Sequence, residues 1–306
     1  MRQYQAPKYQ APKGQSTVDT LPEDALLVHQ YALLNPLSID AEDWADLPCE
    51  PLLTPNVNAR PHLLPQLVRL NEMPRDARLA LRERIERHRQ RGVAFFCALL
   101  GSHAPAERVA RHLMHHLEQR RQGDSRYWWL RFYDPYVFRH LCWQLDAEQM
   151  DVLLGPIHAW TWPDDDGRWH HQRHQSSEAP KVYHLFLSKE QWQRIDRLAL
   201  LNSTLEMLVL LAPEVEQNAV LWQWVDNLLE QAEQWPLPED DDRQLYAEQA
   251  VRFHPGMHDH PVILSCLKRA REPGMTYTQA CADLDDARMM DLAAELDDRD
   301  IRKEAP

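Results

Sequence analysis

The residue type whose number first invites a chemical reading is histidine, present sixteen times. His112, His115 and His116 fall on a helical stripe with Val109 and Leu113. A spacing of four could turn His112 and His116 toward one ion, as in helical zinc sites. No HExxH pattern completes that set, and no general base lies between them. His170, His171 and His174 close an expected hairpin, where strand alternation sends His170 and His171 to opposite faces. His258 and His260 bracket Asp259 in a loop that supplies too few ligands alone. His62 and His103 stand isolated. None of these sets has the orienting partner that a catalytic constellation requires. No metal and no other cofactor is expected.

Acidic residues cluster at 239–242 and between 283 and 300. Contiguous acids read as solvated faces, and general acid–base work needs carboxyls in contrasting environments. A GxSxG elbow, a GxGxxG turn and a GxxxxGK[ST] loop are all missing, and the chain has only 8 glycines against 22 prolines. The expectation is a protein that binds rather than an enzyme. A hydrolase built on the histidine-rich helix is the catalytic alternative.

Composition narrows the partners. A net charge of −13 argues against nucleic acid, whose binders concentrate cations to neutralise phosphates. No apolar run approaches the ~18 residues of a membrane span, and the N-terminus lacks the apolar core of a signal peptide. The five cysteines never fall at CxxC spacing and read as buried free thiols of a reducing compartment. A cytoplasmic location is expected.

The segment Trp128-Trp129-Leu130-Arg131-Phe132-Tyr133-Asp134-Pro135 is the most distinctive. Read as a strand, it puts Trp128, Leu130 and Phe132 on one face and Trp129, Arg131 and Tyr133 on the other. Asp134 followed by Pro135 is a helix start: the carboxylate accepts from free N–H groups, and proline suits the first turn. An arginine among aromatic residues must pair, stack or reach the surface. Arg131 is expected to pair with Asp134 or another acid and fix the strand-to-helix corner.

The elements that must position these residues divide in two. Strands are expected at 25–34, 93–100 and 127–133 and as a hairpin at 157–172, and residues 62–70 read as either a strand or a short apolar loop. Helices are expected at 74–91, 105–121, after Asp134 and after Asp146, where Asp146 and Gln149 have capping-box spacing. This is an α/β N-terminal lobe with a mixed sheet. Residues 174–181 read as a linker. From Ser188 the period becomes helical throughout, giving an all-α C-terminal lobe that frays after 296. The expected domains are a disordered tail at 1–20, carrying a YQAPK repeat, an α/β lobe at 21–175 and a helical lobe at 181–300. The chain holds 11 tryptophans, a residue type enriched at binding hot spots. Trp160, Trp162 and Trp169 crowd the hairpin, and Trp222 and Trp224 fall on different faces of one helix. One or two of these five are expected at an interface.

The run Leu130–Pro135, the apolar helix after it, Leu145-Asp146-Ala147-Glu148-Gln149, and Gly155-Pro156-Ile157 leading to Trp160 resemble the N-terminal domain of bacterial type VI secretion effector adaptors, the Tap or TEC chaperones. The opening strand and residues 63–68 fit as well, and the helical part fits in outline over about residues 25–285. The glycine usual in the helical lobe of that family is replaced here by Val251-Arg252-Phe253-His254-Pro255. The resemblance implies a cytosolic, non-catalytic chaperone that binds a toxic effector protein and loads it onto the VgrG spike protein. It points to Arg131, Tyr133, Asp134 and Pro135 as structural or partner-binding residues. An acidic immunity-type protein that neutralises a toxin by binding is the other non-enzymatic reading.

Overall fold

The computed structural model describes residues 15–56, 60–164, 166–174, 184–235, 237 and 239–304. The chain falls into two compact units that meet in sequence between residues 192 and 193.

The first unit is built on a sheet. Its elements are β1 (Gln15–Val18), α1 (Ala25–Val28), β2 (Tyr31–Leu34), β3 (Cys49–Pro51), β4 (Gln66–Arg69), α2 (Arg75–Arg89), β5 (Ala98–Gly101), α3 (Ala106–Leu117), β6 (Glu118–Arg120), β7 (Tyr127–Trp129), α4 (Pro135–Gln144), α5 (Ala147–Leu154), β8 (Ala159–Pro163) and β9 (Trp169–Arg173). Helix α6 (Lys189–Asp196) straddles the boundary. The main sheet runs β1-β9-β8-β5-β2-β4-β3, and β6 with β7 makes a separate two-stranded ribbon.

Every described pairing is antiparallel. The expected α/β unit is present, but its sheet is not mixed. The reason lies in the connection through α2. Strands β4 and β5 each pair with opposite edges of β2 and so run parallel to each other. The crossover helix therefore joins two parallel strands that β2 keeps apart. Local pattern announces such a crossover but not the strand inserted into it.

Both faces of the sheet are covered. Ala32, Leu34, Val68 and Leu99 pack with Leu26 of α1 and with Leu81 and Ile85 of α2 in one buried cluster. On the opposite face Trp160 stacks on Phe138 of α4 at 4.6 Å between ring centres, and Trp162 meets the same ring edge-on at 4.9 Å. Burial on two sides explains why β2 and β5 read as unbroken apolar runs rather than alternating ones.

Three local expectations change. Residues 25–34 hold a helical turn and then β2, because His29 closes α1 by donating its own N–H to Ala25 O at 3.1 Å. The aromatic segment is a strand only over Tyr127–Trp129, and Arg131–Asp134 forms a turn. Tyr133 consequently turns inward, 3% exposed, instead of sharing an outer face with Arg131. Residues 15–18, within the expected tail, form edge strand β1 against β9. The YQAPK repeat and residues 175–181 of the expected linker lie outside the described residues.

The second unit consists of α7 (Leu198–Leu211), α8 (Ala219–Gln234), α9 (Asp240–Arg252), α10 (Pro261–Arg269), α11 (Tyr277–Ala280) and α12 (Asp286–Glu304). The last helix runs eight residues beyond the point at which fraying is expected. Asn218 caps α8, accepting from Val220 N at 3.0 Å and Leu221 N at 3.1 Å. Arg197 and Asp226 form a buried ion pair at 3.2 Å, with Arg194 at 3.3 Å and Glu233 at 3.3 Å on its flanks. Burial raises the Asp226 pKa, with the two arginines opposing that shift.

The acidic run at 239–242 is not uniformly solvated. Asp242 is 1% exposed and accepts from Tyr277 N at 3.0 Å and from Thr278 N and Oγ1 at 2.8 Å each. It ties α9 to the start of α11, a contact 36 residues away that composition cannot announce.

Candidate binding cleft

The Arg131–Pro135 corner forms one wall of an open cleft of about 340 Å³. The pairing of β5 with β8 stops at Leu99 and Thr161. Beyond that point the chain over 93–97 leaves the ladder, and the β8–β9 turn passes the other side through Pro163 and Asp164. Gly92 makes this departure possible. It follows α2 with φ +71, a conformation that a side chain disfavours. The cleft walls are largely apolar, from Ile85, Val93, Phe95, Phe96, Tyr136 and Trp169.

The corner is held as the residue types require. Asp134 accepts from Tyr136 N at 3.0 Å and caps α4, while its other oxygen takes Arg131 Nη2 at 3.0 Å. Asp134 N donates to Arg131 O at 2.9 Å, closing the turn. The expected Arg131–Asp134 pair is therefore present, with the arginine side chain 45% exposed at the rim. Phe132, 0% exposed, anchors the corner to the core beside Trp160 at 5.8 Å. Burial raises the pKa of the Tyr133 phenol, so its hydroxyl stays protonated.

Asp164, across the cleft, is bound by His170 Nε2 at 2.8 Å and by Arg168 at 3.3 Å. Burial alone would raise its pKa, but the hydrogen bond and charge of His170, with help from Arg168, leave it lowered. His170 Nδ1 in turn meets Thr17 Oγ1 of β1 at 2.9 Å. The Cys97 thiol in the cleft wall is pushed up to about 12, chiefly by burial, which leaves no thiolate for nucleophilic chemistry. This arrangement can enclose an apolar side chain between partnered polar groups at the rim.

The tryptophan expectations separate. Trp160, Trp162 and Trp169 are 0%, 1% and 3% exposed and Trp222 is 9% exposed, so these four belong to cores. Trp169 still contributes to the cleft wall. Trp224 alone of the five is half-buried. The hairpin tryptophans sit on buried faces because the strand order places β8 and β9 inside the sheet, with β1 at its edge.

The histidines are structural contacts. His112 Nε2 meets Leu153 O at 2.8 Å, and its ring occupies the space a Cβ on Gly155 would need. Gly155 also has φ +53, so glycine is required there twice over. His170 and His171 do point to opposite partners, His171 meeting Thr161 Oγ1 at 2.7 Å. His260 caps α10 through Val262 N at 3.2 Å, whereas His258 stacks on Tyr246. Among the described residues no group of three or more His, Cys, Asp or Glu could hold a metal ion. All five cysteines are free thiols. No helix among the described residues is long and apolar enough to cross a membrane.

Sequence reading finds the capping box at Asp146 and Gln149 and the capping pair Ser188 and Gln191. It does not anticipate that these two glutamines meet. Gln191 Nε2 donates to Gln149 Oε1 at 2.8 Å and to Gln144 O at 3.0 Å, while Gln149 Nε2 donates to Phe186 O at 2.7 Å. The available signal was two capping glutamines, each with a spare donor.

Residues 32–151, from β2 into α5, match the family described as "Domain of unknown function (DUF4123)". The cleft-forming corner lies within this stretch. No curated protein and no solved structure matches the chain.

Proposed function

We propose that this protein is a non-catalytic adaptor that holds an effector protein in the bacterial cytoplasm and loads it onto the VgrG spike of a type VI secretion system. The carrying observation is that the Arg131–Pro135 corner, on which the resemblance to effector adaptors rests, lies in the matched domain and walls an open apolar cleft. Domains of this description are associated with type VI secretion effector adaptors. An open apolar concavity with partnered polar groups at its rim suits an anchoring side chain from another protein. In this reading the sheet unit grips a segment of the effector, and the helical unit contributes to docking on the spike.

The test is a pull-down with the full chain against candidate VgrG and toxin proteins from the same genome. Ala94→Trp fills the cleft and should weaken effector binding at least about tenfold, or about 1.4 kcal/mol. Unchanged binding by that variant rejects the cleft as the grip. An effector that loses its toxic activity in the complex would favour the immunity reading instead.

A further inference from the structure

A second concavity lies on the sheet unit, away from the Arg131 corner. Helix α3, the β6–β7 ribbon, residues 53–56 and residues 184–186 enclose a groove of about 600 Å³. Three of its apolar side chains stand open to solvent: Phe186 is 73% exposed, Leu53 50% and Tyr127 41%. Phe186 is not a loose surface residue, since its carbonyl accepts from Gln149 Nε2 at 2.7 Å inside the interlocked pair of capping glutamines. With its backbone already held, Phe186 has only side-chain freedom left to lose on binding. Scattered exposed apolar residues need no explanation, but a concave group of them does.

The charge of this groove runs against that of the molecule. In a chain of net charge −13, Arg111 and Arg120 both line it. Arg111 has no carboxylate partner among the described residues. Arg120 lies over the Tyr127 ring at 4.4 Å and donates to its hydroxyl at 2.8 Å, a neutral partner. The carboxylate in the lining, Glu118, accepts from Asn56 N at 3.0 Å and Asn56 Nδ2 at 2.7 Å. The groove thus offers an apolar floor and two guanidinium groups without a carboxylate on either.

We infer that this groove is a second docking site, which takes a peptide segment of a partner protein bearing an aromatic or large aliphatic side chain flanked by Asp or Glu. The apolar side chain packs against Phe186 and Leu53, and the acids pair with Arg111 and Arg120. Guanidinium groups favour carboxylates because the planar fork matches both oxygens. A nucleic-acid strand fits less well: two cations are few for a phosphate backbone, and the walls include the aliphatic Leu53, Met114 and Leu185. The inference does not depend on the secretion role proposed above.

Random twelve-residue peptide display against the full chain, followed by fluorescence anisotropy with the best labelled peptide, tests it. The selected sequences should pair acids with an aromatic or aliphatic residue. Phe186→Ser and Arg111→Glu should each weaken the Kd about tenfold or more, with unchanged circular dichroism. Binding should also fall as salt rises. Ala94→Trp, which fills the other cleft, should leave the Kd unaltered. Failure to enrich any sequence, enrichment without acids, or a Kd indifferent to Phe186→Ser and Arg111→Glu overturns the inference. So does loss of binding in Ala94→Trp, competition by a dT12 oligonucleotide, or a concentration-dependent dimer that Phe186→Ser abolishes.

Discussion

The two units bury polar side chains in different proportions. The sheet unit takes several imidazoles inside and disfavours their charged form. His116 is 0% exposed and its pKa is lowered to about 2, first by burial and then by the charges His112, His115 and His184 would carry. His112 and His171 are each lowered to about 4, burial again leading. The helical unit instead buries a full ion pair, Arg197 with Asp226, 6% and 1% exposed. A buried neutral ring resists protonation, whereas a buried pair resists the loss of either partner. The two cores should therefore fail under different insults.

Removing one partner of the ion pair should produce the largest effect. Asp226→Ala leaves Arg197 in the core with only the partly exposed Glu233 as a carboxylate partner and should cost roughly 3 kcal/mol, read by urea unfolding of the full chain. Arg197→Met with Asp226→Leu should recover most of that loss. If the single variant costs under about 1 kcal/mol, the pair is not what organises the helical core.

Acid is the sharper test of the sheet unit. Its depressed histidines favour the neutral form in the folded state, so their contribution is complete above the unfolded value near 6.5. It is lost as pH falls from there toward about 4 for His112 and His171 and about 2 for His116. Each adds a slope of about 1.4 kcal/mol per pH unit between its unfolded and folded values. His258 of the helical unit, lowered to about 3, contributes one such slope, whereas the sheet unit has His112, His116 and His171 and also the lowered His29 and His158. Denaturation followed by probes in each unit should show the sheet unit losing stability first between pH 6 and 4 as a rough window. His116→Leu should flatten the dependence, and parallel acid curves for both units would remove the contrast.

Smaller effects test the corner. Asp134→Ala removes the α4 cap and should cost about 1 kcal/mol. Arg131→Ala breaks a rim ion pair, worth about 0.2–1 kcal/mol when exposed. A greater loss from Arg131→Ala than from Asp134→Ala would mean that the arginine does more than decorate the corner. Unaltered stability together with unaltered partner binding would remove Arg131 from any role.

Much of the fold was legible because its signals are local. Asp134-Pro135, Asp146 with Gln149, Ser188 with Gln191, and the hairpin turn after Pro163 all act within a few residues of themselves. The division into a sheet part and a helical part followed from period alone. The candidate site was half legible: its corner was found by residue type, and its opposite wall was not. Pro163 and Asp164 read only as a hairpin turn and Val93 and Phe95 only as strand, and they meet the corner only because β5 and β8 stop pairing after Leu99 and Thr161.

Residue type and spacing thus settled the caps, the turns, the apolar faces and the Arg131–Asp134 contact, since each needs only neighbours in the chain. Strand order, the fate of the tryptophans, the burial of Asp242 and the presence of two concavities depended on contacts between distant segments. Chemically similar residues received different fates there. Trp160 is core because β8 lies within the sheet, while Phe186, held by a glutamine 37 residues away, is left bare. Local pattern states which side chains prefer burial, but the packing of remote elements decides which of them obtain it.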